Sequence, residues 1–145
     1  MSSQPPPRPD EAGRDGHTAS GMDSRGLPAG YQFKPDWEVT PTEVHQRIKA
    51  REDLVLLDCR GMDEWQIARI DGAVLIPLGE LERRADELET DEGGRTRSIV
   101  VHCHHGMRSM RAAAMLRGMG FTNVRSMAGG IDLWSLSVDP AIRRY

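Results

Sequence analysis

The chain has 145 residues, a formal charge of −3 and two cysteines, which fits one domain plus a tail and excludes a secreted disulfide scaffold. The near-neutral charge gives no reason to expect nucleic acid or an anionic membrane as partner. No run approaches the ~18 apolar residues of a membrane span, and no apolar leader-like segment follows Met1, so the cytoplasm is the expected compartment.

Residues 1–30, with Pro5, Pro6, Pro7 and Pro9 among Gly, Ser and Asp, lack apolar periodicity and read as a disordered tail; the folded domain is expected over residues 31–145. Residues 38–40 form a short candidate strand. Thr40 then caps a helix running to Lys49, with Pro41 in its first position and Glu43 three residues after the cap. Residues 54–58 (Leu-Val-Leu-Leu-Asp) are a continuous apolar run, the mark of a strand covered on both faces. A helical turn is expected at residues 63–68, a strand ended by Pro77 at residues 73–77, and a surface helix at residues 78–88. After a polar loop at residues 91–95 come a strand at 98–102, a helix at 108–119 closed by Gly120, a strand at 123–127 and a final helix opening at Ile131. Strand and helix alternate, which predicts an α/β fold with a mostly parallel sheet.

The most informative stretch is Ile99-Val100-Val101-His102-Cys103-His104-His105-Gly106-Met107-Arg108-Ser109. A β-branched run delivers Cys103 to a strand end, and a short glycine-containing loop leads to an arginine that opens a helix. Loop amides, the helix N-terminus and Arg108 all favour a thiolate, which predicts a nucleophile. Gly106 permits the close approach or positive φ that a tight anion cradle requires. The competing reading is a structural cysteine at the end of a buried strand, which leaves the glycine-arginine loop unexplained.

These residues resemble the active loop of the rhodanese (thiosulfate:acceptor sulfurtransferase) family. The resemblance extends to Asp58-x-Arg60 with Glu64-Trp65, to Ile70-Asp71-Gly72-Ala73-x-x-Ile76-Pro77-Leu78, and to Gly129-Gly130-Ile131-Asp132-x-Trp134. Residues 135–145, together with Trp37 and residues 76–81, resemble the rhodanese domains appended to sulfur-carrier adenylyltransferases. One departure is Arg69, where many relatives have histidine. The resemblance implies a five-stranded sheet with helices on both faces and the cysteine loop at the strands' carboxyl ends. It implies Cys103 as catalytic residue, carrying a persulfide between a sulfane donor such as thiosulfate and a thiol, cyanide or sulfur-carrier protein acceptor. His104, His105, Gly106, Met107, Arg108 and Ser109 are the implied substrate-binding loop, with Asp58 and Arg60 in support. An ion pair between Arg108 and Asp58 or Glu64 is the plainer role for that arginine. No cofactor is implied.

Three other readings compete. Cysteine phosphatases and arsenate reductases have a loop one residue longer than the four residues between Cys103 and Arg108. A metal site would need His102, Cys103, His104 and His105 to converge, which consecutive residues cannot do. A non-catalytic binding module is disfavoured by the presence of Cys103. Cys59 reads as a small buried residue, with a resolving thiol as the sharper alternative; strand alternation places it opposite Asp58.

Overall fold

The computed structural model describes residues 21–145. Five strands form one sheet: β1 (Glu38–Val39), β2 (Leu54–Asp58), β3 (Val74–Leu75), β4 (Ser98–His102) and β5 (Val124–Met127). Their order is β1-β5-β4-β2-β3, and every neighbouring pair is parallel. The helices are α1 (Pro41–Lys49), α2 (Met62–Ile67), α3 (Leu81–Arg84), α4 (Met107–Gly118) and α5 (Gly130–Ser137).

The β2–β4 pairing is unbroken from Leu54↔Ser98 to Asp58↔His102. Alternate residues leave this central pair in opposite directions. Leu57, Ile99 and Val101 pack with Ala112, Ala113 and Leu116 of α4. Leu56 and Val100 pack with Val39, Val44, Ile131 and Trp134 on the other face. Both faces are therefore covered, which is why β2 and β4 are apolar without alternation. Cutting the fully buried Leu57 back to alanine would cost about 2–5 kcal/mol.

Thr40 caps α1 as the sequence requires: its hydroxyl accepts from the Glu43 amide at 3.2 Å, with Pro41 in the first turn. Three elements differ from expectation. Residues 78–88 form not one helix but a 3-10 turn (Leu78–Glu80), the single turn α3 and a second 3-10 turn (Ala85–Leu88). This broken path inserts Leu81, Ala85 and Leu88 together into the core. Only Val74 and Leu75 of the expected third strand pair with β2, as an edge. The folded part also begins before residue 31. Asp23 closes a turn by accepting from the Arg25 amide at 2.8 Å and the Leu27 amide at 3.1 Å, and Met22 and Leu27 pack on Ala128 and Leu133. Two apolar residues set by a turn suffice here, and they leave no periodicity to read. Residues 1–20 of the expected tail lie outside the described residues.

Candidate active site

β4 ends at His102, so Cys103 sits at its carboxyl end, at the centre of the sheet. The chain then turns through Gly106, whose φ of +114° few other residues adopt, and enters α4 at Met107. This turn aims the Gly106 amide at the Cys103 sulfur (3.1 Å) and the Ser109 amide, in the first turn of α4, at the same atom (3.3 Å). The Ser109 hydroxyl lies 3.4 Å from the sulfur and 2.8 Å from the Ser126 hydroxyl on β5. On the neighbouring strand end, Cys59 follows β2 and shares a buried cluster with Cys103.

Hydrogen bonding from Cys59 is the largest influence on Cys103, followed among the favourable ones by the Ser109 hydroxyl and the Ser109 and Gly106 amides. Against the opposing effect of burial, they bring its thiol down to about 4. These groups favour the thiolate of Cys103 at neutral pH. Cys59 shifts the opposite way: its bond to the Cys103 thiolate, then burial, hold it protonated. Cys103 is only 1% exposed, but it lines a cleft of about 370 Å³ together with His104, His105, Met107, Arg108 and Arg111. A second cleft of about 320 Å³, beside His45, Arg69 and Trp134, is lined by no cysteine or serine.

The loop is braced from three directions. Arg60 and Asp58 form a completely buried pair, with Nη2–Oδ2 at 2.6 Å, and Arg60 also donates to the Ala68 carbonyl at 2.7 Å. Arg108 makes a two-pronged bond to Glu64, at 2.6 and 2.8 Å. These bonds are the main reason that the Glu64 carboxyl is lowered to about 2. Third, α5 donates backward: its Ile131 and Asp132 amides reach the Cys103 and His104 carbonyls at 2.9 and 3.1 Å. Gly130 allows this approach, because a Cβ there would stand 2.5 Å from the Cys103 carbonyl oxygen.

The predicted residues do not all serve alike. Cys103, Gly106 and Ser109 meet at the sulfur. His104 is half-buried, and burial, then the neighbouring His105, lowers its pKa. His105 and Met107 point to solvent at the rim, Met107 being 83% exposed. Arg108 takes the structural partner foreseen for it, Glu64, while still lining the cleft. Asp58 and Arg60 brace the loop at a distance from the sulfur. Tyr145 is the residue that sequence reasoning missed. Its ring stacks on His104 at 4.0 Å, and its hydroxyl accepts from Arg60 at 2.7 Å and donates to Glu64 at 3.0 Å. The only signal was its membership of the tail motif. Among the described residues, no group of three or more His, Cys, Asp or Glu side chains is placed to hold a metal ion, and no helix is long and apolar enough to cross a membrane.

Residues 40–137 match the family model described as a rhodanese-like domain. The chain belongs to the rhodanese family. It is 38% identical over 99 residues to the putative sulfur carrier protein YrkF of Bacillus subtilis, covering 68% of this chain and 50% of that protein. It is 32% identical over 112 residues to the adenylyltransferase and sulfurtransferase UBA4 of Candida albicans, covering 75% of this chain and 26% of that one. Among solved structures, the thiosulfate sulfurtransferase of Pseudomonas aeruginosa superposes with a TM-score of 0.63 at 30% identity, covering 69% of this chain and 19% of that one. This rhodanese domain thus spans half or less of these curated relatives, and the rhodanese domains of sulfur-carrier adenylyltransferases are similar to it. Sulfur transfer is supported at the level of the family.

Proposed function

We propose that the protein is a sulfurtransferase that carries sulfur as a Cys103 persulfide. The observation behind this reading is one ionised sulfur held by two convergent amides and a hydroxyl at a helix N-terminus. In the first half-reaction the Cys103 thiolate attacks the outer sulfur of a sulfane donor such as thiosulfate. A new S–S bond forms, the donor's S–S bond breaks, and sulfite leaves with the bonding pair. In the second, a thiol, cyanide or sulfur-carrier protein attacks the outer persulfide sulfur and the Cys103 thiolate is released.

The residues divide this work. The Gly106 and Ser109 amides stabilise charge on the sulfur in both half-reactions. Arg108 and the loop from His104 to Met107 receive the anionic donor, and Glu64 fixes the angle at which Arg108 faces the cleft. Asp58 and Arg60 keep the loop in place. A cytoplasmic setting suits this chemistry, because its reducing poise keeps Cys59 and Cys103 as thiols.

Intact-mass analysis after incubation with thiosulfate tests the reading. The wild type is expected to gain one sulfur atom, lost again on adding cyanide, and Cys103→Ser is expected to gain none. A wild type that stays unmodified is a binding module instead. Hydrolysis of an aryl phosphate would point to the phosphatase reading, which the short loop between Cys103 and Arg108 disfavours.

A further inference from the structure

The persulfide cycle uses one cysteine, yet two stand side by side. Cys59 follows the last paired residue of β2 and Cys103 the last of β4, and those two residues, Asp58 and His102, are partners in register. The ladder runs one bond further, from the Cys59 amide to the His102 carbonyl at 3.0 Å. Adjacent strands lie ~4.8 Å apart, inside the ~4.4–6.8 Å window that a disulfide spans between Cα atoms. Both side chains leave the sheet on the same face, into one cluster with Leu57 and Val101. Each thiol bears on the other's ionisation, Cys103 downward and Cys59 upward.

We infer that Cys59 is a resolving thiol: when a hydroperoxide oxidises Cys103, Cys59 closes a reversible disulfide on it. The Cys103 thiolate first attacks the peroxide. An S–O bond forms, the O–O bond breaks, and the departing hydroxide takes up a proton, so Cys103 becomes a sulfenic acid and the peroxide is reduced. The Cys59 sulfur then attacks the Cys103 sulfur. The S–S bond forms, the S–O bond breaks, and the leaving hydroxide takes the Cys59 proton and departs as water. An external dithiol restores both thiols by two exchanges and is itself oxidised to a disulfide.

The pair is set to act in that order. Both cysteines are buried, but only Cys103 lines the cleft, so peroxide meets Cys103 first. Hydrogen bonding to the Cys103 thiolate, then burial, keeps Cys59 protonated. Conversion to a neutral sulfenic acid removes the largest of these influences, which eases proton loss from Cys59 against the burial that remains. A disulfide also blocks over-oxidation, because a sulfinic acid is not returned by thiols.

The inference rests on the ionised Cys103 of the proposed function, not on persulfide formation. Wild-type protein is treated with hydrogen peroxide, alkylated, digested with trypsin without reduction, and analysed by mass spectrometry. The expected product is residues 52–60 cross-linked to residues 98–108, with intact mass lower by two hydrogens, both reversed by dithiothreitol. In Cys59→Ser and Cys59→Ala, Cys103 is expected to proceed to sulfinic acid that dithiothreitol does not reverse. Sulfinic acid at Cys103 in the wild type, or only cross-links between two molecules, overturns the inference. Persulfide without the cross-link sinks this pair alone, whereas the cross-link without persulfide sinks the sulfur-transfer reading alone.

Discussion

Replacing Glu64 with glutamine tests how the cysteine loop is anchored to the rest of the domain. Glu64 accepts two bonds from Arg108, one from the Gly61 amide at 3.1 Å and one from the Tyr145 hydroxyl. Glutamine keeps one carbonyl oxygen but removes the charge that makes the Arg108 bonds strong. Hydrogen bonds to charged groups contribute about 1.5–3 kcal/mol. Arg108 is 37% exposed and Glu64 18%, so solvent screening lowers the expected loss to about 1–2 kcal/mol. For a domain of this size that corresponds to a fall in Tm of roughly 4–8 °C. The pH dependence follows from the lowered carboxyl. A group held at about 2 in the folded protein contributes stability that is complete above its unfolded pKa and lost as pH falls toward 2. The Tm gap between wild type and Glu64→Gln should therefore be constant around neutrality and narrow below about pH 4.5. Thermal unfolding followed by circular dichroism near pH 7 and near pH 3 measures both. An unchanged Tm at neutrality, or a gap undiminished at about pH 3, would refute the anchoring role.

The remaining predictions concern the loop's other supports. Arg60→Met leaves Asp58 charged and buried without its partner and should cost about 3–5 kcal/mol, read as a lower urea midpoint. Gly130→Ala places a methyl group against the Cys103 and His104 carbonyls at a φ of +62°. It should destabilise by about 1–3 kcal/mol and slow persulfide formation; wild-type stability would show that the backbone yields there. Ser109→Ala removes a hydroxyl that favours the thiolate, so the pH profile of Cys103 alkylation should move upward by about one unit. An unmoved profile would leave the amides and Cys59 as its whole support.

Much of this architecture is legible in residues that act locally. The apolar runs of β2 and β4 announce strands buried on both faces, and Thr40-Pro41 announces the start of α1. The loop is legible too, because cysteine, glycine and arginine act within a few residues of one another. What escapes is set by contacts distant in sequence. Tyr145 gains a role only because β2, α2 and the cysteine loop meet beneath it, which no local pattern encodes. Cys59 reads as core filling first and as a resolving thiol only second, and it is register that places it beside Cys103. Residues 78–88 look helical because Leu81, Ala85 and Leu88 keep helical spacing, while packing breaks the backbone into short turns.

The arrangement of strands also governs when the sulfur becomes dangerous. Its stabilising neighbours come from three strands: Cys59 after β2, the amides after β4, and Ser109 held by Ser126 of β5. A nascent or misassembled polypeptide lacks them all, and its thiol behaves like any free cysteine, mostly protonated and slow to react. Reactivity switches on only once distant parts of the chain have assembled, so maturation itself guards the cell against stray sulfur chemistry.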